Sequence, residues 1–195
     1  DIHASGSHLL SLINDLLDIS SIEAGGAELA IERLDLGELL QEVHALAAPI
    51  AAAAGLRFVL EAPDEPLVAR ADRRRVVQIM LNLVSNAAKY NRTGSLVRLS
   101  CTARGRDIRV EVEDDGAGVA AADVGRLFTP FDRLGQQNRA RVDGTGLGLA
   151  LSKRLVESMG GQIGYEAPAQ GARFWFTLPA APRPRPARGK AEKSE

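Results

Sequence analysis

QIMLNLVSNAAKYN, residues 78–91, is the stretch from which the rest of the chain is read. Its apolar residues Ile79, Met80, Leu83, Val84 and Ala87 recur at three- and four-residue intervals, the pattern of an amphipathic helix. On that helix Asn82, Asn86 and Lys89 stand one turn apart along a single edge, with roughly 6 Å between neighbouring Cβ atoms. Two carboxamides and an ammonium make poor core material, since burying each unpaired costs roughly 1–3 kcal/mol. They suit a place where amide oxygens meet a hard cation such as Mg²⁺ and an ammonium meets phosphate. An ordinary solvated face would show the same residues, so this helix does not decide the matter alone.

Upstream, Asp72 is placed to cap the helix. Before it, Arg57–Glu61 and Leu67–Ala71 read as strands separated by Pro63, Asp64 and Pro66. A helix from about Gly37 to Ala54 ends at Gly55, and a short strand is expected around Ile31–Leu36. Residues 2–23 carry a wide stripe of Leu and Ile, enough to contact two neighbouring helices as in a bundle, and Gly25-Gly26 stops it. Downstream, Leu96–Ala103 and Ile108–Glu113 alternate apolar and polar residues around the loop Arg104-Gly105-Arg106-Asp107, a hairpin. A short helix near Ala121–Leu127 and a polar stretch Asp132–Asp143 follow. A helix from about Leu147 to Met159 and strands Gln162–Glu166 and Arg173–Leu178 close the pattern. Residues 180–195, rich in Pro, Arg, Lys and Ala, read as a disordered tail or linker.

The whole chain has 195 residues, 45% hydrophobic and 25% charged, a soluble globular composition for one domain plus an appendage. A net charge of −1 argues against nucleic acid as a partner, because no basic excess exists to displace counterions. The single cysteine, Cys101, excludes an internal disulfide and reads as a packed strand residue in a reducing, cytoplasmic setting. The longest apolar stretch, Ala45–Leu56, is short and contains Pro49, so no membrane contact is expected of these residues. The chain opens on Asp1 rather than Met and is expected to be part of something longer, membrane-anchored or not through other sequence.

Two glycine-rich stretches carry further chemistry. Asp114 ends a strand and is followed by Gly116 and Gly118, which allow positive φ and close approach of a planar ligand. A carboxylate there can accept from an exocyclic amine such as that of adenine. Gly144-Thr145-Gly146-Leu147-Gly148 leads directly into a helix, whose free N–H groups and dipole favour phosphate. It is neither a Walker loop nor a Rossmann fingerprint. The polar Asp132–Asp143 before it has the composition of a mobile lid, whose Arg139 and Arg141 could either reach phosphate or stand as solvated charges.

In this order and at this spacing, the motifs resemble the catalytic core of a bacterial sensor histidine kinase. Asn82-Leu-Val-Ser-Asn86-Ala-Ala-Lys89-Tyr90 matches that family's N box, and Asp114-Asp-Gly116-Ala-Gly118 its G1 box. Leu127-Phe128-Thr-Pro-Phe131 matches the F box, and Gly144-Thr145-Gly146-Leu147-Gly148-Leu the G2 box. Leu9–Gly25 looks like the second helix of the family's dimerisation and phosphotransfer domain. The resemblance implies an α/β fold of the Bergerat type, an α+β sandwich with a mixed β-sheet covered on one face by helices. It implies a bundle segment at 1–26, an ATP-binding domain at 27–179 and a tail at 180–195. It implies ATP and Mg²⁺ as cofactors: Asn86 on the metal, Asn82 beside the phosphates, Lys89 and Tyr90 toward phosphate or ribose. Asp114 would read the adenine amine, Gly116 and Gly118 would shape the base pocket, and Phe128 and Phe131 would anchor the lid. Gly144, Thr145, Gly146, Leu147 and Gly148 would form the lid hinge and triphosphate contacts. Implied partners are a response-regulator receiver domain and a second copy of the full-length protein.

Two departures stand out. The family has a small hydroxyl residue before the strand Phe, where this chain has Gly171-Ala172-Arg173 ahead of Phe174. The phosphoacceptor histidine, followed in the family by an acidic residue, is also missing: His3, His8 and His44 all lack that neighbour and read as surface or interface residues. A hydrolytic relative of the gyrase or mismatch-repair kind would need a Glu one turn before the metal-binding Asn, and Asn82 stands there instead. A non-catalytic nucleotide-binding module stays compatible with the same residues.

Overall fold

The computed structural model describes residue 13, residues 28–132 and residues 145–182. The bundle-helix segment except Ile13, His3 and His8, the expected lid from 133 onward with Arg139 and Arg141, Gly144, and the tail from 183 lie outside the described residues.

Among the described residues, seven strands form two sheets. β1 (Ile31–Asp35) pairs antiparallel with β3 (Val68–Asp72) in a small two-stranded sheet. The main sheet has the order β2 (Arg57–Glu61), β4 (Leu96–Arg104), β5 (Asp107–Asp114), β7 (Ala172–Pro179), β6 (Ile163–Glu166). Only β2–β4 is parallel; the other three pairs are antiparallel. The two strands expected on either side of the Pro63–Pro66 turn therefore do not pair, and enter different sheets. β2 finds its parallel neighbour after a long crossover, as parallel pairing requires.

The crossover contains the helix read first. α1 (Leu36–Ala53) is capped by Asp35, whose Oδ1 accepts from Gly37 N–H at 2.8 Å. α2 (Arg73–Tyr90) is capped by Asp72, as the sequence predicts. Asp72 is buried and divided: Oδ1 accepts from Arg75 N–H at 3.1 Å and Oδ2 from Ala30 N–H at 3.0 Å. One carboxylate thus starts α2 and pins the chain just before β1. α3 (Gly148–Ser158) completes the helical layer, and Val76, Ile79, Met80, Leu83 and Val84 of α2 are all fully buried in the shared core. The short helix expected near 121–127 contracts to a single 3₁₀ turn, Val124–Arg126.

Strand residues alternate between this core and the open face of the sheet. Ile108, Val110 and Val112 of β5 point into the core, while Arg109, Glu111 and Glu113 point away. On the open face, the register puts Arg98, Glu113, Arg173 and Glu166 in one row across β4, β5, β7 and β6. Charges alternate along it, with Arg173 bridging Glu113 at 2.6 Å and Glu166 at 3.3 Å. Arg109 joins from two rows along, 2.7 Å from Glu166 and stacked over Trp175 of the intervening row. Opposite charges directly across strands favour this register. Cys101 is buried on β4, and burial pushes its thiol up to about 11, so it is a packed thiol rather than a nucleophile.

Residues 180–182, expected to belong to the tail, are tied to the domain. Ala180 bridges to Ala69, Ala181 N–H donates to the Val68 carbonyl at 2.7 Å, and Arg33 donates to the Pro182 carbonyl at 2.9 Å. Residues 180–182 are thereby held along β3.

Candidate functional site

The end of β5, the edge of α2 and the start of α3 converge on one side of the domain. Asp114, last residue of β5, is buried, with 9% of its surface exposed. Its Oδ1 accepts from Gly116 N–H at 2.9 Å. Burial pushes this carboxyl above the usual carboxylate range. Hydrogen bonds from Gly116 N–H, the Asn91 side chain and Ala172 N–H pull it back, and the neighbouring Asp115 charge raises it. Asp115 itself turns away, its carboxylate accepting from Leu96 N–H at 2.9 Å.

The glycines of this turn do different work. Gly118 is in the left-handed region (φ 68°), where a Cβ would lie 2.6 Å from the Gly171 carbonyl oxygen. Gly116 is not in that region and does not use the positive φ that glycine allows. Its missing Cβ makes room for a side chain: the atom would lie 1.7 Å from Asn91 Oδ1. Gly171 (φ 86°) lets β7 start against the Asp114 carbonyl, 1.7 Å from where its Cβ would be. Tyr165 accepts from Val119 N–H at 3.1 Å and so holds the far side of the turn.

Asn82 and Asn86 lie half-buried on α2, and Lys89 and Tyr90 stand exposed at its last turn. Asn82 Nδ2 donates to Ser152 Oγ on α3 at 2.9 Å. A Cβ on Gly148 would come within 2.4 Å of Asn82 Oδ1, so only glycine lets α3 start against that amide. Thr145 Oγ1 accepts from Leu147 N–H at 3.1 Å, and the first intrahelical bond of α3 runs from Leu151 N–H to the Leu147 carbonyl. The N–H groups of Gly148, Leu149 and Ala150 have no acceptor within the helix, an arrangement suited to phosphate.

The two ends of the expected lid meet. Phe131 N–H donates to the Gly146 carbonyl at 3.0 Å, and both residues are left-handed, at φ 63° and 72°. A Cβ on Gly146 would press on the Phe131 backbone at 3.1 Å, which accounts for the glycine. Phe131 is 63% exposed, so it is not core, while Leu127 beside it is buried. Arg126 braces this turn through a two-pronged bond to Asp132 at 2.7 and 2.9 Å.

A family model for the histidine kinase-, DNA gyrase B- and HSP90-like ATPases matches residues 71–182, from the end of β3 through β7, with every site residue described above. The chain belongs to this ATPase family. Among curated relatives, it is 41% identical over 184 residues to the non-motile and phage-resistance protein of Caulobacter vibrioides, covering 92% of this chain and 22% of that protein. It is 41% identical to the sensor protein GacS of Pseudomonas syringae pv. syringae, covering 91% of this chain and 20% of that one. The crystal structure of full-length ShkA in complex with AMPPNP matches with a TM-score of 0.79 and 36% identity, over 91% of this chain and 37% of that chain. This member of the ATPase family is therefore the ATP-binding catalytic domain of a sensor histidine kinase core, and spans about a fifth of the curated relatives it matches. The five-stranded mixed sheet with helices on one face is the expected fold. No helix among the described residues is long and apolar enough to cross a membrane.

The sequence gives no site role to Asn91, Ser152 and Tyr165, and marks Gly171 only within the departure ahead of Phe174. Asn91 directly follows the N-box pattern and could have been found there. Ser152 and Tyr165 come from elements far along the chain, and nothing local marks them. Among the described residues, no group of three His, Cys, Asp or Glu is placed to hold a metal ion. A divalent cation here would take an amide oxygen of Asn86 and draw its remaining ligands from phosphate and water, which suits Mg²⁺.

Proposed function

We propose that this domain transfers the γ-phosphate of ATP to a histidine side chain presented by another helix. The observation that carries the reading is the position one turn before Asn86. It is held by Asn82, whose amide is engaged with Ser152 and cannot take a proton from water. Hydrolysis needs such a base, whereas a neutral imidazole is already a nucleophile and needs mainly positioning and charge neutralisation. Asp114 would accept from the adenine amine, and the α3 N-terminus with Lys89 would meet the phosphates. Asn86 would ligate Mg²⁺, which when bound neutralises charge on the phosphate oxygens.

His44 is not the acceptor. It stacks on Phe58 with ring centroids 4.7 Å apart, and its Nε2 lies 3.3 Å from the Phe58 carbonyl. Swinging it out would unpack α1 from β2. His3 and His8 lack the acidic neighbour that the family's acceptor carries. The acceptor helix, a homodimeric bundle to which residues 1–26 contribute, a response-regulator receiver domain as next recipient and a cytoplasmic location complete the proposal. Incubation with γ-labelled ATP should give no acid-labile label on the chain alone, and acid-labile label on an added acidic-flanked histidine helix. Label on the chain that disappears with H8A would overturn the acceptor assignment. Steady phosphate release without transfer would favour the hydrolytic reading.

A further inference from the structure

Asn91 is the polar side chain of the site with no task so far. Its backbone N–H ends α2 by donating to the Ala87 carbonyl at 3.1 Å, so the side chain is not needed as a cap. The amide instead lies beside Gly116 and the Asp114 carboxylate, where it favours the charged form of that carboxyl. Its Oδ1 is buried and has no hydrogen-bond partner among the described residues. A buried acceptor of this kind calls for a donor from elsewhere. Across the ladder, Ala172 faces Asp114 and brings only its backbone N–H, where the resembling family has a hydroxyl.

We propose that Asn91 determines the purine preference of the site: Nδ2 holds the Asp114 carboxylate in its accepting orientation, and Oδ1 is a second acceptor for the purine six-amino group. This deepens, and rests on, the reading that Asp114 meets the adenine amine. An amino group carries two N–H bonds, and two acceptors side by side satisfy both. Guanine presents a carbonyl at that position, and two oxygens would then face a third. The amide also favours the charged form of Asp114 against burial. The Gly116 and Ala172 N–H groups act in the same direction, and Asn91 is the side chain that joins them. Asp115 on the same turn acts in the opposite direction, β4 and β7 place uncharged Val97 and Ala172 beside Asp114, and Arg98, Glu113 and Arg173 pair with each other on the opposite face of the sheet.

The test is calorimetric affinity of the whole chain for ATP and GTP with Mg²⁺, from pH 5.5 to 8.5, for the parent, N91A, N91T and D114N. N91A should lose ATP affinity by about tenfold, the scale of one charge-assisted hydrogen bond, with GTP unchanged. Its acid-side loss of ATP affinity should also move to higher pH, because Asp114 is harder to keep charged without the amide donor. N91T retains one donor and should recover part of both effects; it carries the test if N91A does not fold. Equal losses for ATP and GTP with an unmoved pH profile would show a merely structural role and overturn the proposal. So would an unchanged ATP-to-GTP ratio in the Asn91 variants while D114N abolishes it. If D114N itself keeps the ATP preference, the Asp114 reading fails first, and the Asn91 proposal with it.

Discussion

Gly116→Ala tests the geometry of the base pocket most directly. A Cβ at this position would lie 1.7 Å from Asn91 Oδ1, 2.8 Å from Asn91 Cγ and 2.9 Å from Asp114 Oδ1. Neither partner can yield cheaply, because the Asn91 amide is wedged beside a buried carboxylate. The methyl must expel Asn91 or shift the turn. Overpacking of this kind costs about 1–3 kcal/mol. In a chain of this size each kcal/mol lowers Tm by about 2–4 °C, so a fall of about 2–12 °C is expected in a thermal melt without nucleotide. ATP affinity should fall by at least about tenfold, since Asp114 loses a charge-assisted bond. Gly125→Ala is the control: a Cβ there meets nothing within 4 Å, and neither Tm nor affinity should move. Adding N91A to G116A removes the two closest contacts, so the double variant should be more stable than G116A alone. A G116A protein with the parental Tm and ATP affinity, or one that N91A destabilises further, would refute the packing described here.

Asp114→Asn should stabilise the nucleotide-free fold near pH 8 while weakening ATP. The folded carboxyl is raised by burial, so the native state holds its proton to higher pH than the unfolded chain does. Stability therefore falls as pH rises from the ordinary carboxylate range through the raised value, and D114N escapes that cost. Urea melts across pH should show its advantage at pH 8 vanishing toward pH 4; a D114N less stable than the parent at pH 8 would contradict this. Asn86→Ala should leave Tm unchanged and abolish the Mg²⁺-dependent part of ATP affinity, read by calorimetry with and without the metal; unchanged affinity in Mg²⁺ would remove Asn86 from the site. Asp72→Ala should cost about 2 kcal/mol in urea melts, because it uncaps α2 and leaves Ala30 N–H without its partner. Gly148→Ala should weaken ATP binding by pushing Asn82 from the α3 N-terminus, where a Cβ would lie 2.4 Å from its Oδ1, and unchanged binding would argue against that contact.

Periodicity and capping chemistry are local properties, and the sequence alone determined what depends on them. The apolar spacing of residues 78–91 placed α2, Asp72 announced its start, and the alternation around Gly105 placed the β4–β5 hairpin. The order of the four boxes determined the family and therefore the fold, and it singles out Asp114, Asn82, Asn86 and the Gly146–Gly148 turn as candidates. Tertiary structure decided what depends on residues distant in the chain. The sequence could not show that β2 and β3 enter different sheets, because their flanks are alike and only the crossover selects the partner. Nor could it show that Gly116 is small for the sake of Asn91 rather than a ligand, since glycine marks a missing Cβ without saying what fills the space. Ser152, Tyr165 and Gly171 reach the site only because the β5–β7–β6 register and the α2–α3 packing bring them there. A short-range pattern can specify which residues are chemically able to bind, but contacts closed over long loops specify which atoms meet.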